Sequence, residues 1–213
     1  MKTIQWLCIL AILSGVGASA ATTGTPTQGD SLRAWFKIYS KEFKRLKSKE
    51  LLLTGRAAAD VMLDGLSATG LVSATTRFSA LPGDVQTALT RLKTDLETLK
   101  DKIRDTDSRI GQLVKDLNAA SKTGTPPDLE ATQLLVSTCY AALNDGELAD
   151  KDRQIITETS TKIAATAGLT PTIAQAITAD VAAILAGVNA TKVDVDLIKT
   201  DFSTLGTLIK AVP

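Results

Sequence analysis

Apolar residues recur at every third or fourth position along most of this chain, a spacing that predicts helices rather than strands. Two runs dominate. From Asp84 to about Ala120 the stripe is Val85, Leu89, Leu92, Leu96, Leu99, Ile103, Thr106, Ile110, Leu113 and Leu117. Its steps alternate four and three, the heptad pattern. After Thr170–Pro171 a second stripe runs Ile173, Ile177, Val181, Ile184, Val188, Thr191, Val195, Ile198, Phe202, Leu205 and Ile209. Each seam holds one threonine, Thr106 or Thr191, and a hydroxyl there is tolerable because it can bond back to a helix carbonyl. Helices of near-equal length and matching pattern are expected to pack on each other, with the short helices between them returning the chain.

Shorter elements complete the pattern. Asp30 or Ser31 is expected to cap a helix with Leu32, Trp35, Phe36, Tyr39, Phe43 and Leu46 on one face. Thr54–Gly55 is expected to interrupt it, and a second helix to run from Arg56 to about Ala80. "LPGD", Leu81 to Asp84, is a stop and restart signal, with Asp84 as the next cap. Thr125 and Pro126 read as the cap and first position of a helix reaching about Leu143. A polar helix follows from about Glu147 to Thr166, and Gly168 stops it. No hairpin dipeptide sits between alternating runs. The expected fold is all-α: an elongated bundle of five or six helices with two long heptad-patterned helices. Residues 30–213 form one domain, divided into basic N-terminal helices, 30–80, and a part from 84 onward.

The first twenty residues stand outside that pattern. "MKTIQWLCILAILSGVGASA" has a basic start at Lys2, an apolar run from Ile4 to Val16, and small residues at Ala18 and Ala20. This reads as a secretory signal peptide, residues 1–20, too short for a membrane span. No spanning segment is expected after it. Residues 21–29, rich in Thr and broken by Gly and Pro, read as a disordered lead.

Charge and chemistry then narrow the function. The chain has 24 Lys and Arg against 23 Asp and Glu, and Lys2 lies in the leader, so the remainder is neutral. No global field would attract nucleic acid. The basic residues concentrate between Arg33 and Arg56. There is no histidine, which excludes histidine-based triads and removes the commonest transition-metal ligand. Cys139 is the one cysteine after the leader; its apolar helical surroundings point to burial. Asp105 and Asp107 lack the spacing and closing Glu of a calcium loop. Glycines fall at helix ends, and no phosphate loop appears. No catalytic residue, metal site or cofactor is expected. Asn189–Ala190–Thr191 is an N-glycosylation acceptor, placed inside the last predicted helix.

The remaining candidates are the stripes themselves. Filling the core is their default role. The sharper possibility is an apolar slot between the long helices, lined by Leu92, Leu96, Leu99, Ile103, Ile177, Val181, Ile184 and Val188. Small alanines beside them, such as Ala182 and Ala186, leave room for an acyl chain.

From about residue 85 to the end, three stretches carry a likeness: "DTDSRIGQLVKDLNAASKTG", "LADKDRQIITETSTKI" and "LIKTDFSTLGTLI". There the chain resembles the fungal hydrophobic-surface-binding protein A family, which includes cell-wall galactomannoproteins. The resemblance implies a secreted or wall-associated, non-enzymatic protein that adsorbs to hydrophobic surfaces or holds fatty acids or other lipids in a helical bundle. Two further expectations come from the residues. Free heptad seams would pair copies into a coiled-coil homodimer. The basic, aromatic first helix would lie on anionic lipid.

Overall fold

Helices make up every regular element among the described residues, 27–46, 50–72, 75–122 and 126–212 of the computed structural model. The expected signal peptide, residues 21–26 of the lead and Thr125 lie outside them. In chain order the α-helices are α1 (Gln28–Arg45), α2 (Arg56–Ala68), α3 (Thr76–Ser79), α4 (Gly83–Ala120), α5 (Leu129–Asp145), α6 (Asp150–Ala164) and α7 (Pro171–Leu208). A π-helical turn, Leu51–Gly55, leads into α2, and a 3-10 turn, Ile209–Ala211, extends α7. The bundle is all-α, as the periodicity requires.

Seven α-helices replace the expected five or six among the described residues. The second expected helix stops at Ala68 instead of Ala80, because Gly70 turns to φ 69°. That is left-handed backbone, open to glycine at little cost. The chain restarts at α3, capped by the Thr75 hydroxyl. Thr54–Gly55 does not break the chain; it belongs to the π-helical turn, where both Thr54 and Gly55 donate to the Glu50 carbonyl. The first cap is Thr27 rather than Asp30 or Ser31. Thr27 and Asp30 form a reciprocal capping box, so residues 27–29 join the bundle rather than the lead. Pro82 precedes α4, and Asp84 sits in its first turn, accepting from the Val85 amide at 2.8 Å. α5 begins at Leu129, capped by Asp128, and Pro126 lies outside it. The Pro126–Pro127 pair explains the delay, since a residue before proline avoids helical backbone.

α4 and α7 have 38 residues each, about 57 Å at about 1.5 Å per residue. They run antiparallel: Lys102 of α4 meets Asp194 of α7, and Arg109 meets Asp180. The α4 stripe is buried from Val85 to Leu117. On α7, Val195 and Ile173 are only half-buried, and Asp194 is buried beside Val195 instead. The helices approach closely at Gly187, where an added Cβ would lie 2.3 Å from Thr106 Oγ1. Thr191, fully buried, donates its hydroxyl to the Gly187 carbonyl at 2.9 Å. The two seam threonines thus flank one close contact.

Around this pair the core divides. One cluster packs α1, α2 and α3 against Val85–Ile103 of α4 and the end of α7 from Ile198. The other packs α5 and α6 against Ile110–Ala120 of α4 and Ile177–Val188 of α7. The boundary falls at Thr106 and Thr191. The first core is aromatic: Phe43 and Phe36 stack on Phe202 with centroids 4.2 and 4.4 Å apart, and Trp35 tilts against it. The second is built from aliphatics, alanines and Cys139. Leu51 joins the halves. It is fully buried, and an added Cβ at Gly146 would lie 2.7 Å from its Cδ2.

Candidate functional site

The eight proposed lining residues are all buried, but they do not come together. Leu92, Leu96, Leu99 and Ile103 belong to the aromatic core, and Ile177, Val181, Ile184 and Val188 to the aliphatic one. Antiparallel packing causes the separation, since the quartets sit at opposite ends of the long pair. Other residues line the surface clefts. A cleft of about 110 Å³ at the waist is bordered by Leu46, Leu51, Gly146, Lys192, Asp196 and Lys199, among others. A wider groove of about 400 Å³ lies over Lys199, Thr200, Ser203, Thr204 and Thr207. Both seams are occupied within the chain. The apolar face of α1, with Leu32, Trp35, Phe43 and Leu46, is likewise buried in the first core.

What the fold leaves uncovered is the outer face of α7. Gln175, Ala179, Ala182, Ala186, Asn189, Val193, Leu197, Thr200 and Thr204 are all exposed and follow one line at helical spacing. None is charged, over about 44 Å at about 1.5 Å per residue. Val193 is 57% and Leu197 47% exposed. By length and composition Pro171–Ala211 is apolar enough to cross a membrane, contrary to the expectation that no such segment follows the leader; only 28% of its most apolar stretch is buried. Asn189 sits in the middle of this face, exposed on an unbroken helix.

Beside the seam lies a polar edge that the sequence reading missed. Asp95, Lys102, Arg109 and Asp116 recur every seventh residue on α4. Asp180, Gly187, Asp194 and Asp201 do the same on α7. In the antiparallel pair these positions meet as rungs. Lys102 pairs with Asp194, while Asp95 neighbours Asp201 and Asp116 neighbours Asp180, acid beside acid. Lys102 Nζ lies 2.9 Å from each Asp194 oxygen. Arg109 stands opposite Gly187, which offers no side chain, and reaches Asp180 only at 3.7 Å. Burial, then the facing Asp116, raises the Asp180 carboxyl above the usual range, with Arg109 opposing. Burial and Asp201 do the same to Asp95, against Arg91 and Lys102. The heptad spacing of these charges was the signal available in the sequence; pairing it required knowing the register.

Elsewhere the chemistry is quiet. Cys139 is buried, as expected, and burial pushes its thiol up to about 12. Among the described residues, no group of three or more acidic or cysteine side chains is placed to hold a metal ion. Lys199 and Lys192 hold the Asp196 carboxyl below its ordinary value on the exposed side of α7.

The fold defines an all-α helical bundle built on two antiparallel long helices, one of which carries a long line of exposed, uncharged residues. No family model, curated protein or solved structure matches the chain.

Proposed function

We propose that this is a secreted, non-enzymatic protein that binds hydrophobic surfaces or lipid, and that it does so through the outer face of α7. One observation carries the reading. The most apolar helix of the molecule is among its least covered, and the line of exposed residues along it is uncharged, with the Lys192–Asp196–Lys199 ion pairs at its flank. Exposed Val193 and Leu197, with the alanines before them, offer apolar area that contact with other apolar matter would take out of water. The expected signal peptide and the resemblance of residues 85–213 to hydrophobic-surface-binding proteins point the same way, towards secretion and the cell wall. Two filled cores favour adsorption over capture of a fatty acid in a slot. In this reading the eight core residues act only after the long helices part.

Adsorption of the purified chain to octyl-coated beads tests the proposal. Val193→Asp with Leu197→Asp should lower the bound fraction about tenfold while the helical spectrum stays unchanged. Thr94→Asp, on the outer face of α4, should leave binding alone. Failure of the wild-type chain to adsorb, or equal adsorption by the Val193/Leu197 variant, would sink it.

A further inference from the structure

We propose that the outer face of α1 docks the folded protein on an anionic lipid surface, with Lys37, Lys41 and Lys44 towards the negatively charged headgroups and the aromatic face of the helix kept in the bundle. The choice of lipid over another polyanion rests on the function proposed above; the basic strip itself does not.

Helix spacing makes the strip. Lys37, Lys41 and Lys44 are exposed and follow one another at steps of four and three, so they share one side of α1. The two acids of the helix are already engaged, Asp30 by Arg33 at 3.0 Å and Glu42 by Arg45 at 2.8 Å. The three lysines therefore stand without an ion pair among the described residues. Lysines at this spacing repel one another. The helix is held from its other side, where Phe36 and Phe43 stack on Phe202 and Leu32, Trp35 and Leu46 are buried. Charged exteriors elsewhere mix both signs. On α4, Lys93 meets Glu97, Lys100 meets Asp60 of α2, and Arg104 meets Asp101. On α7, Asp196 holds both Lys192 and Lys199. Opposite charges side by side cancel, whereas a strip of one sign projects its field outward. Its complement is a negatively charged surface.

Apolar neighbours favour lipid as that surface. Ala34 and Ile38 are exposed along the edge of the strip, Ile38 by 49%. Lysine stems are themselves apolar and lie along a membrane interface with the ammonium among the headgroups. α1 also runs beside the half of α7 that exposes Leu197. Arg33 donates to the Val212 carbonyl at 2.8 Å, Phe36 lies against Gly206, and Leu46 borders the same cleft as Val195. A bilayer offers anionic headgroups and apolar area together; an acidic polysaccharide offers only the first. Because Trp35, Phe43 and Leu46 fill the first core, the contact is made by the outer face of an intact bundle. It is therefore shallow and sensitive to salt. A free amphipathic helix would instead bury its aromatic side in the lipid.

Co-sedimentation of the full chain with vesicles of equal parts phosphatidylserine and phosphatidylcholine, compared with vesicles of phosphatidylcholine alone, tests the strip. Wild type should bind the anionic vesicles at low salt and leave them at about 0.5 M salt, where screening acts within about 5 Å. Lys37→Gln with Lys41→Gln and Lys44→Gln should weaken that binding roughly a hundredfold. The helical spectrum of this variant and its adsorption to octyl beads should match wild type. Lys115→Gln with Lys122→Gln and Lys151→Gln removes the same charge from exposed positions on other elements, and should leave vesicle binding nearly unchanged. Equal loss in the two triple variants would reduce the effect to bulk charge and overturn the proposal. Equal binding to both kinds of vesicle, or none to anionic vesicles at low salt, also overturns it. Retention on immobilised heparin without vesicle binding would make the partner a soluble polyanion and overturn the lipid assignment. Beads and vesicles separate the two ideas. A wild-type chain that binds anionic vesicles but not octyl beads overturns the role of α7 and keeps the strip; the converse result removes the strip and keeps α7.

Discussion

α4 and α7 are alike on the inside and opposite on the outside. Each has 38 residues, a stepped aliphatic stripe and one buried threonine. The exterior of α4 carries Arg91, Glu97, Asp101, Arg104, Asp105, Arg109 and Lys115, all exposed. The matching exterior of α7 has Ala182, Ala186, Val193 and Leu197, with exposed charge at Lys192 and Asp196 to one side. A charged exterior stays in water because dehydrating ions is costly. A line of alanines and aliphatics is held in water less firmly. The difference teaches that packing needs account for one face of each helix, whereas the opposite faces record what each is exposed to. The aromatic and aliphatic cores make the same point on a smaller scale, since one seam supports two kinds of filling.

The largest effects should come from the shared inside. Leu96→Ala and Ile184→Ala empty different cores, and each should cost about 3 kcal/mol. Because the clusters are separate, the double variant should lose about 6 kcal/mol by urea unfolding. A double loss far from the sum would mean that the cores are one. Next comes the close contact. Gly187→Leu drives a side chain into Thr106, whose Oγ1 would be 2.3 Å from the new Cβ, and should cost about 2–3 kcal/mol. An unchanged urea midpoint would show that the helices are not pressed together there. Lys102→Met removes the partner of buried Asp194. Lys102 is itself partly exposed, so screening should hold the loss to about 1–2 kcal/mol in the same assay. The smallest changes in stability belong to the exteriors. Ala186→Lys on α7 and Arg104→Ala on α4 should each stay within about 0.5 kcal/mol of wild type, yet only the first should weaken adsorption to octyl beads. Equal adsorption by both would erase the functional contrast between the two faces.

Much of this architecture was legible in the pattern of residues. The stripe of α4 is buried at every expected position, and α7 departs mainly at Val195, where the seam shifts towards Asp194. The start of α7 was readable because Thr170 and Pro171 encode a helix start by local chemistry, and the Thr170 hydroxyl indeed accepts from Ile173. Ends set by tertiary contact were harder. Gly65 lies against Tyr39, and Leu129 and Leu134 face outward on α5 although their spacing resembles core. The proposed lining failed as a unit for a topological reason. Periodicity tells which face of a helix is inside but not which stretch of one helix lies beside which stretch of another. The outer line of α7 was visible as text, but its exposure follows from where α5 and α6 stop covering it.

The π-helical turn at Leu51–Gly55 holds one residue more per turn than the α2 helix it feeds. That surplus sets the angular phase of everything after it. Excising Thr54 alone would rotate α2 by about 100° about its own axis. Ala58, Ala59, Met62 and Leu66, now fully enclosed, would swing away from the interior, and the backbone of Gly65 would no longer accommodate the ring of Tyr39. One residue too few, at a place with no chemistry of its own, would put a whole helix out of step.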